Sequence, residues 1–252
     1  MPINCFIDKN IMIIIPMAGK SSRFYKAGYT QPKFMLPLNG KTVFEESVSS
    51  FKKYFKTDFF LFITRTDDGS EDFVFMKCGE LKIKHFEIIC INNETKGQAD
   101  TVSIGLQRMS KTQKVNEPLY IFNIDSIRIN FIKPTLKFLQ NTAGYLEVFI
   151  GKGEHWSFVE ASKDNYVKRT TEKIKISDLC SNGLYYFESI NLFNEIFKTF
   201  KTTNNYKELF VAPMYNHIIA RNLTVKYVLL KSNQTIFCGT PIEYENTLKN
   251  DT

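Results

Sequence analysis

No stretch of this 252-residue chain approaches the ~20 consecutive apolar residues that a bilayer-crossing helix needs. The first apolar run, residues 11–15, is not led by a basic segment and a small-residue cleavage site, so a cytoplasmic protein is the expectation. Cysteine is scarce and scattered: Cys5, Cys78, Cys90, Cys180 and Cys238 form no C-x-x-C pair, and their spacing suggests neither a zinc site nor a disulfide framework. Histidine is scarcer still. His85, His155 and His217 stand apart, and no Ser/His/Asp or Cys/His arrangement stands out. Blocks of like charge are missing too: the formal charge is +7, yet Lys52, Lys53, Lys56, Lys82 and Lys84 are spread along the chain, without an aromatic RNA-binding signature. Nucleic acid and membrane are therefore not expected partners, and anionic small molecules are. The sequence shows no repeat, low-complexity tract or linker. Its length suits one large α/β domain over 1–252, with 1–10 as a candidate extra N-terminal segment.

What the chain does contain is alternation. Strand-like apolar runs recur at 11–15, 59–63, 87–91, 119–124, 146–150, 183–187 and 224–230, with helical patterns between most of them. Residues 43–54 follow Thr42, a plausible cap, and put Phe44, Val48 and Phe51 on one face; residues 101–109 read as a second helix. This predicts a single-domain, Rossmann-like α/β fold with a mixed, mainly parallel sheet and helices on both faces. Ligands of such sheets sit at the carboxyl ends of the strands. The segment Phe210-Val211-Ala212-Pro213-Met214-Tyr215 is apolar enough for a core or an interface, which leaves an oligomer open.

The segment Ile13-Ile14-Ile15-Pro16-Met17-Ala18-Gly19-Lys20-Ser21-Ser22-Arg23-Phe24 reads as a buried strand feeding a phosphate cradle. Gly19 allows close backbone approach, and Ser21 and Ser22 can turn amides and hydroxyls toward an anion. Arg23 adds a permanent planar cation, and Lys33 adds a point charge after Pro32. A solvated βα turn is the bland alternative, which the second cation disfavours. Further on, Thr95-Lys96-Gly97-Gln98-Ala99-Asp100-Thr101-Val102 reads either as a nucleotide-edge loop or as a capped helix start, with Asp100 or Thr101 as cap. Tyr120-Ile121-Phe122-Asn123-Ile124-Asp125-Ser126 is an apolar strand that ends in polar groups, where Asp125 could hold Mg²⁺ against phosphates or cap a turn.

The order of Pro-Met-Ala-Gly-Lys-Ser-Ser-Arg-Phe and Gln31-Pro32-Lys33-Phe34 resembles the signature loop of the nucleotidyltransferases that make sugar nucleotides and related CDP compounds. That family usually writes the loop Ala-Gly-x-Gly-x-Arg, so Ser21 stands where Gly is common. The Ser-Ser-Arg-Phe form resembles a bacterial surface-polysaccharide branch, and the likeness runs to about Glu245. It implies nucleotide contacts from Met17, Ala18, Gly19, Ser21, Ser22, Gly97, Gln98, Ala99 and Asn123, and Mg²⁺ at Asp125. Glu172-Lys173, followed by Ser181-Asn182-Gly183-Leu184-Tyr185-Tyr186-Phe187, resembles the family's acceptor segments. There Lys173 would hold the acceptor phosphate, and Glu172, Asn182, Gly183 and Trp156 would line the pocket. The family's late metal Asp, two residues before Gly-Thr-Pro, is replaced here: Ile236-Phe237-Cys238-Gly239-Thr240-Pro241 puts Phe237 in its place. Either Glu243 or another acid substitutes, or Asp125 acts alone with substrate oxygens.

The implied activity is transfer of a nucleotide from an NTP to a phosphorylated small molecule with release of pyrophosphate, in the supply of capsule or lipopolysaccharide precursors. Arg23, Lys33 and Lys173 would carry the catalysis. A pyrimidine nucleotide is favoured, with CTP first. The acceptor is expected to be a sugar 1-phosphate or, close behind, a phosphorylated alcohol or amino acid such as phosphoglutamine. A glycosyltransferase of the same fold would be expected to show Asp-x-Asp, where this chain has Asn123-x-Asp125, and a non-catalytic nucleotide-binding regulator is the other alternative.

Overall fold

Ile13, Ile14 and Ile15 are fully buried because β1 (Met12–Pro16) is covered on both faces. The computed structural model describes residues 11–67, 69–110, 116–203 and 206–249, so the candidate N-terminal segment 1–10 and Cys5 lie outside the described residues. The other strands are β2 (Pro37–Leu38), β3 (Lys41–Thr42), β4 (Phe59–Arg65), β5 (His85–Ile91), β6 (Leu119–Phe122), β7 (Ser126–Arg128) and β8 (Gly144–Ile150). They continue with β9 (Ser157–Ala161), β10 (Val167–Glu172), β11 (Leu179–Phe187), β12 (Val225–Leu229) and β13 (Thr235–Phe237). The helices are α1 (Ser22–Lys26), α2 (Val43–Ser49), α3 (Ser70–Glu80), α4 (Gln98–Arg108), α5 (Leu136–Leu139), α6 (Ile190–Thr203), α7 (Met214–Ala220) and α8 (Pro241–Lys249).

Strands β6, β1, β4 and β5 run parallel and side by side. Antiparallel β11 extends this sheet beyond β6 and joins β8 and β9; β10 closes one end, and β12 lies parallel to β8. The parallel strands divide their side chains between two cores, as period-2 geometry requires. Met12 and Ile14 pack with Val102 of α4 and Phe193 of α6, whereas Ile13 and Ile15 pack with Phe44 of α2 and Val74 of α3. The Rossmann-like mixed α/β sheet with helices on both faces is thus present.

Local boundaries differ from the sequence expectation for identifiable reasons. The 43–54 segment divides into α2 and a 3₁₀ turn, Lys52–Tyr54, although Thr42 does cap it, in a capping box with Glu45. Helix α4 begins at Gln98 rather than Thr101 because Gly97 is its N-cap, and Asp100 instead turns back to accept from the Lys96 amide at 2.9 Å. Pro16 remains inside β1 as its last residue, opposite Ile63. In the 210–215 segment, Val211, Ala212, Met214 and Tyr215 are buried in the main core. Cys78, Cys90, Cys180 and Cys238 are free thiols, as expected. Among the described residues no helix is long and apolar enough to cross a membrane.

Candidate active site

An open cleft of about 1160 Å³ lies at the carboxyl ends of the parallel strands, where the βα loops converge. The loop after β1 forms one wall. Ala18, Gly19, Ser22 and Arg23 line it, with Arg23 exposed on α1. Ser21 has φ +50°, a left-handed conformation that favours glycine, and its hydroxyl accepts from the Lys33 amide at 3.1 Å. That bond gives the serine a function glycine lacks: it ties the loop to the backbone of Lys33. The Met17 side chain is buried in the core and its amide donates to Ile63 O at 2.8 Å, so it extends the β1 to β4 pairing.

Lys33 crosses the cleft and its ammonium donates to Asp125 Oδ2, both groups being largely screened from solvent. Asp125 lies three residues beyond β6, in a turn whose exit strand β7 pairs antiparallel with β13. This ribbon delivers the late segment to the site: Cys238 N donates to Asp125 O at 2.8 Å. At Gly239, a Cβ would stand 3.0 Å from Asp125 Oδ2 and 3.4 Å from Glu243 Oε2. Two carboxylates therefore face one small gap that a side chain would fill. Glu243 is steadied there by the Thr240 hydroxyl, which donates to Oε2 at 3.0 Å. Burial, together with the fields of Asp125 and Glu243, pushes the Cys238 thiol up to about 11. Among the described residues no three His, Cys, Asp or Glu side chains converge as a metal cluster, although His155 Nε2 stands 3.8 Å from Glu243 Oε1.

Phe237, which stands in the place of the family's late metal Asp, packs against Trp156 and Phe149 at ring separations of 4.7 and 4.9 Å. It forms an aromatic wall of the cleft. Trp156 lines the same wall and its indole donates to Lys152 O at 2.9 Å.

The loop after β5 forms the opposite wall. Gly97 has φ +133°, and a Cβ there would come within 2.6 Å of Leu209 N, a backbone atom that cannot easily yield. The close approach exists because Leu209 N donates to Lys96 O and Ala99 N donates to Leu209 O at 2.9 Å. Ala99 is fully buried and its amide is spent on that clasp. Gln98 faces the cleft, and its amide donates to Asn123 Oδ1.

On the acceptor side, Glu172 is buried, and burial holds its carboxyl above the usual range, against the Ser157 hydroxyl that donates to it. Lys173 adopts φ +56° and carries its ammonium 4.4 Å over the Phe210 ring. Asn182 touches the cleft, yet its amide is engaged inside, with Glu147 and the Leu184 amide; Gly183 meets Asn123 through its carbonyl.

Sequence reasoning missed several cleft residues. Arg65 ends β4, and its place at the carboxyl end of a parallel strand was a usable signal. Lys207, Glu208 and Phe210 carried none. They reach the cleft because the Leu209 clasp pulls their loop against Gly97.

No protein-family model matches the chain, and no curated protein does. Among solved structures, a nucleoside-diphosphate-sugar pyrophosphorylase from Vibrio cholerae RC9 is 44% identical, with a TM-score of 0.88 over 94% of this chain and 100% of that one. An inositol-1-phosphate CTP transferase from T. maritima shares 11% identity at a TM-score of 0.71, covering 96% of each chain. A UTP-bound UGPase from Acinetobacter baumannii shares 14% at 0.66, over 96% of this chain and 93% of that one. The last two share the fold.

Proposed function

We infer the reaction from one premise: the chain belongs to the nucleoside-diphosphate-sugar pyrophosphorylase family and is a nucleotidyltransferase. On that footing it joins an NTP to a phosphorylated small molecule and releases pyrophosphate. A sugar 1-phosphate is the first acceptor class, in keeping with the Vibrio cholerae relative. CTP with a phosphorylated alcohol or amino acid is the second reading, favoured by the shared fold of the inositol-1-phosphate CTP transferase. The product would feed capsule or lipopolysaccharide synthesis.

The observation that carries this reading is the convergence of Arg23, Lys33, Asp125 and Glu243 at one end of the parallel strands. A phosphomonoester is largely dianionic near neutral pH and is itself the nucleophile toward the α-phosphorus. No protein base is required for that attack. Arg23 and Lys33 would neutralise the triphosphate and the departing pyrophosphate, while Lys173 would orient the acceptor phosphate. Glu172 and Ser157 offer acceptors and donors to the far end of the acceptor. Gln98, held by Asn123, would meet the base edge.

The pair Asp125 and Glu243 suits Mg²⁺, which takes one or two carboxylates and completes its shell with phosphate and water. The gap at Gly239, which a Cβ would fill, leaves room for a cation between the two carboxylates. Bound there, Mg²⁺ would supply positive charge against the phosphates. The same Asp125 carboxylate that would hold the ion also accepts from Lys33, which keeps the lysine beside the place the triphosphate would take. Pyrophosphate release, screened over the common NTPs with sugar 1-phosphates, phosphorylated alcohols and phosphorylated amino acids, tests the reading. Signal with one NTP and one acceptor class is expected; silence with every pair overturns it.

A further inference from the structure

Arg128 on β7 and Glu147 on β8 form a buried ion pair that touches no proposed substrate. Arg128 Nε donates to Glu147 Oε2 at 2.6 Å and Nη2 donates to Oε1 at 3.2 Å. A third polar group completes the cluster. Asn182 Nδ2 donates to Glu147 Oε2 at 3.0 Å, while Asn182 Oδ1 accepts from the Leu184 amide at 3.0 Å. Asn182 sits where β11 is irregular: its pairing with β8 shifts register between Ser181 and Tyr185, and Gly183 has φ +91°.

Such an irregularity re-aims the residues it carries. Here the Gly183 carbonyl accepts from Asn123 N at 3.1 Å, and the Gly183 backbone lies so close to the Asn123 side chain that a Cβ would come within 2.5 Å of Nδ2. Asn123 Oδ1 in turn accepts from Gln98. A continuous series of bonds thus runs from the ion pair through Asn182, the distorted strand and Asn123 to the amide that faces the nucleotide wall. The Asn123 carbonyl also accepts from Ser126 N at 3.2 Å, so the same support lies under the turn that carries Asp125.

We propose that Asn182, anchored by the Arg128 and Glu147 pair, is a positioning residue for nucleotide recognition: it locks the β11 distortion that seats Asn123 and thereby fixes the Gln98 amide. The argument rests on the nucleotide site proposed above. A buried ion pair is weak evidence of stability, since desolvation offsets much of its attraction. Its connection to a distorted strand beneath the cleft gives it a consequence beyond stability. Removing the Asn182 amide leaves Arg128 and Glu147 paired but frees the 181–184 segment to regularise, and Gln98 then loses its one orientation.

The test measures equilibrium binding of CTP, UTP, dTTP, ATP and GTP to the intact chain by calorimetry, beside turnover and thermal melting. Asn182→Ala should weaken the preferred nucleotide about fivefold or more and narrow its preference over the next nucleotide by a similar factor. Glu147→Gln is the conservative control. Its amide oxygen can take the place of Oε2 between Arg128 and Asn182, so its melting temperature should fall while nucleotide preference stays within about twofold of the parent. Asn182→Ser, whose shorter hydroxyl gives up the reach to Glu147 without adding a charge, carries the same test if the alanine variant is recovered unfolded. Asn182→Ala that melts earlier yet binds every nucleotide as the parent does overturns the proposal. Because binding is read apart from turnover, a parent chain that binds NTP and transfers nothing overturns the transferase reading alone.

Discussion

The ammonium of Lys33 rests on the Asp125 carboxylate, joining positions 92 residues apart across the mouth of the cleft. The two groups come from loops after different strands, β1 and β6, and meet because those strands are neighbours. This contact ties the anion-binding side of the site to the carboxylate side.

Replacing Lys33 therefore acts on both. Lys33→Ala should lower kcat/KM by about 10² or more, the usual cost of removing one preorganised charge from a phosphoryl site. It should also change the Mg²⁺ concentration needed for half-activation, because Asp125 loses its competing cation. Steady-state kinetics across Mg²⁺ concentrations check both. Turnover unchanged would remove Lys33 from the site.

Asp125 and Glu243 should separate in a metal titration. Asp125→Asn is expected to abolish turnover at every Mg²⁺ concentration, whereas Glu243→Gln should remain active with half-activation moved about tenfold upward, one carboxylate fewer around the ion. Equal behaviour of Glu243→Gln and the parent would leave Asp125 as the one protein ligand.

Much of this site was legible beforehand, and the parts that were not share a cause. Lys33, Gly97, Gln98 and Asp125 follow strands or open a helix, so strand periodicity and a glycine with a special conformation mark their places. The proximity of Glu243 to Asp125 was left open because it depends on β7 pairing with β13, two strands of three residues each that carry too little pattern to recognise. The loop carrying Lys207, Glu208 and Phe210 is placed by backbone hydrogen bonds of Leu209, and backbone bonding leaves no mark on residue type. The fold was readable from its parallel strands because two-sided burial forces unbroken apolar runs. Beyond them, β8, β11 and β12 were marked by the runs at 146–150, 183–187 and 224–230, whereas β9 and β10 mix polar with apolar residues and were not.

Glu172 gives a pH signature. Burial raises its carboxyl above the ordinary 4.5, so the native chain keeps this proton to higher pH than the unfolded chain does. Stability from this group is then greatest at low pH, falls as pH rises from about 4.5 through the raised value, and is level above it. Glu172→Gln removes that fall. On the same rise from pH 4.5, urea midpoints should fall further, or climb less, in the parent than in the variant; Glu147 and Glu188, which burial also raises, pull downward in both, and His217, which burial lowers, pulls upward in both.

Two backbone positions should respond differently. Gly97→Ala places a Cβ against Leu209 backbone in a conformation that L residues avoid, and should cost about 1–3 kcal/mol in urea denaturation as well as nucleotide affinity. Ser21→Gly relieves a left-handed serine but gives up the bond to the Lys33 amide, so stability should stay within about 1 kcal/mol while the KM for NTP rises. Identical effects at both positions would contradict the role given to the Ser21 hydroxyl.

The central claim is attack on the α-phosphorus of an NTP, and following a label through one turnover tests it most directly. With the preferred NTP labelled at the α position, the label should appear in the acceptor product; with the γ position labelled, it should leave as pyrophosphate. Label from the γ position in the acceptor, or α label recovered solely in free nucleotide, would contradict the account.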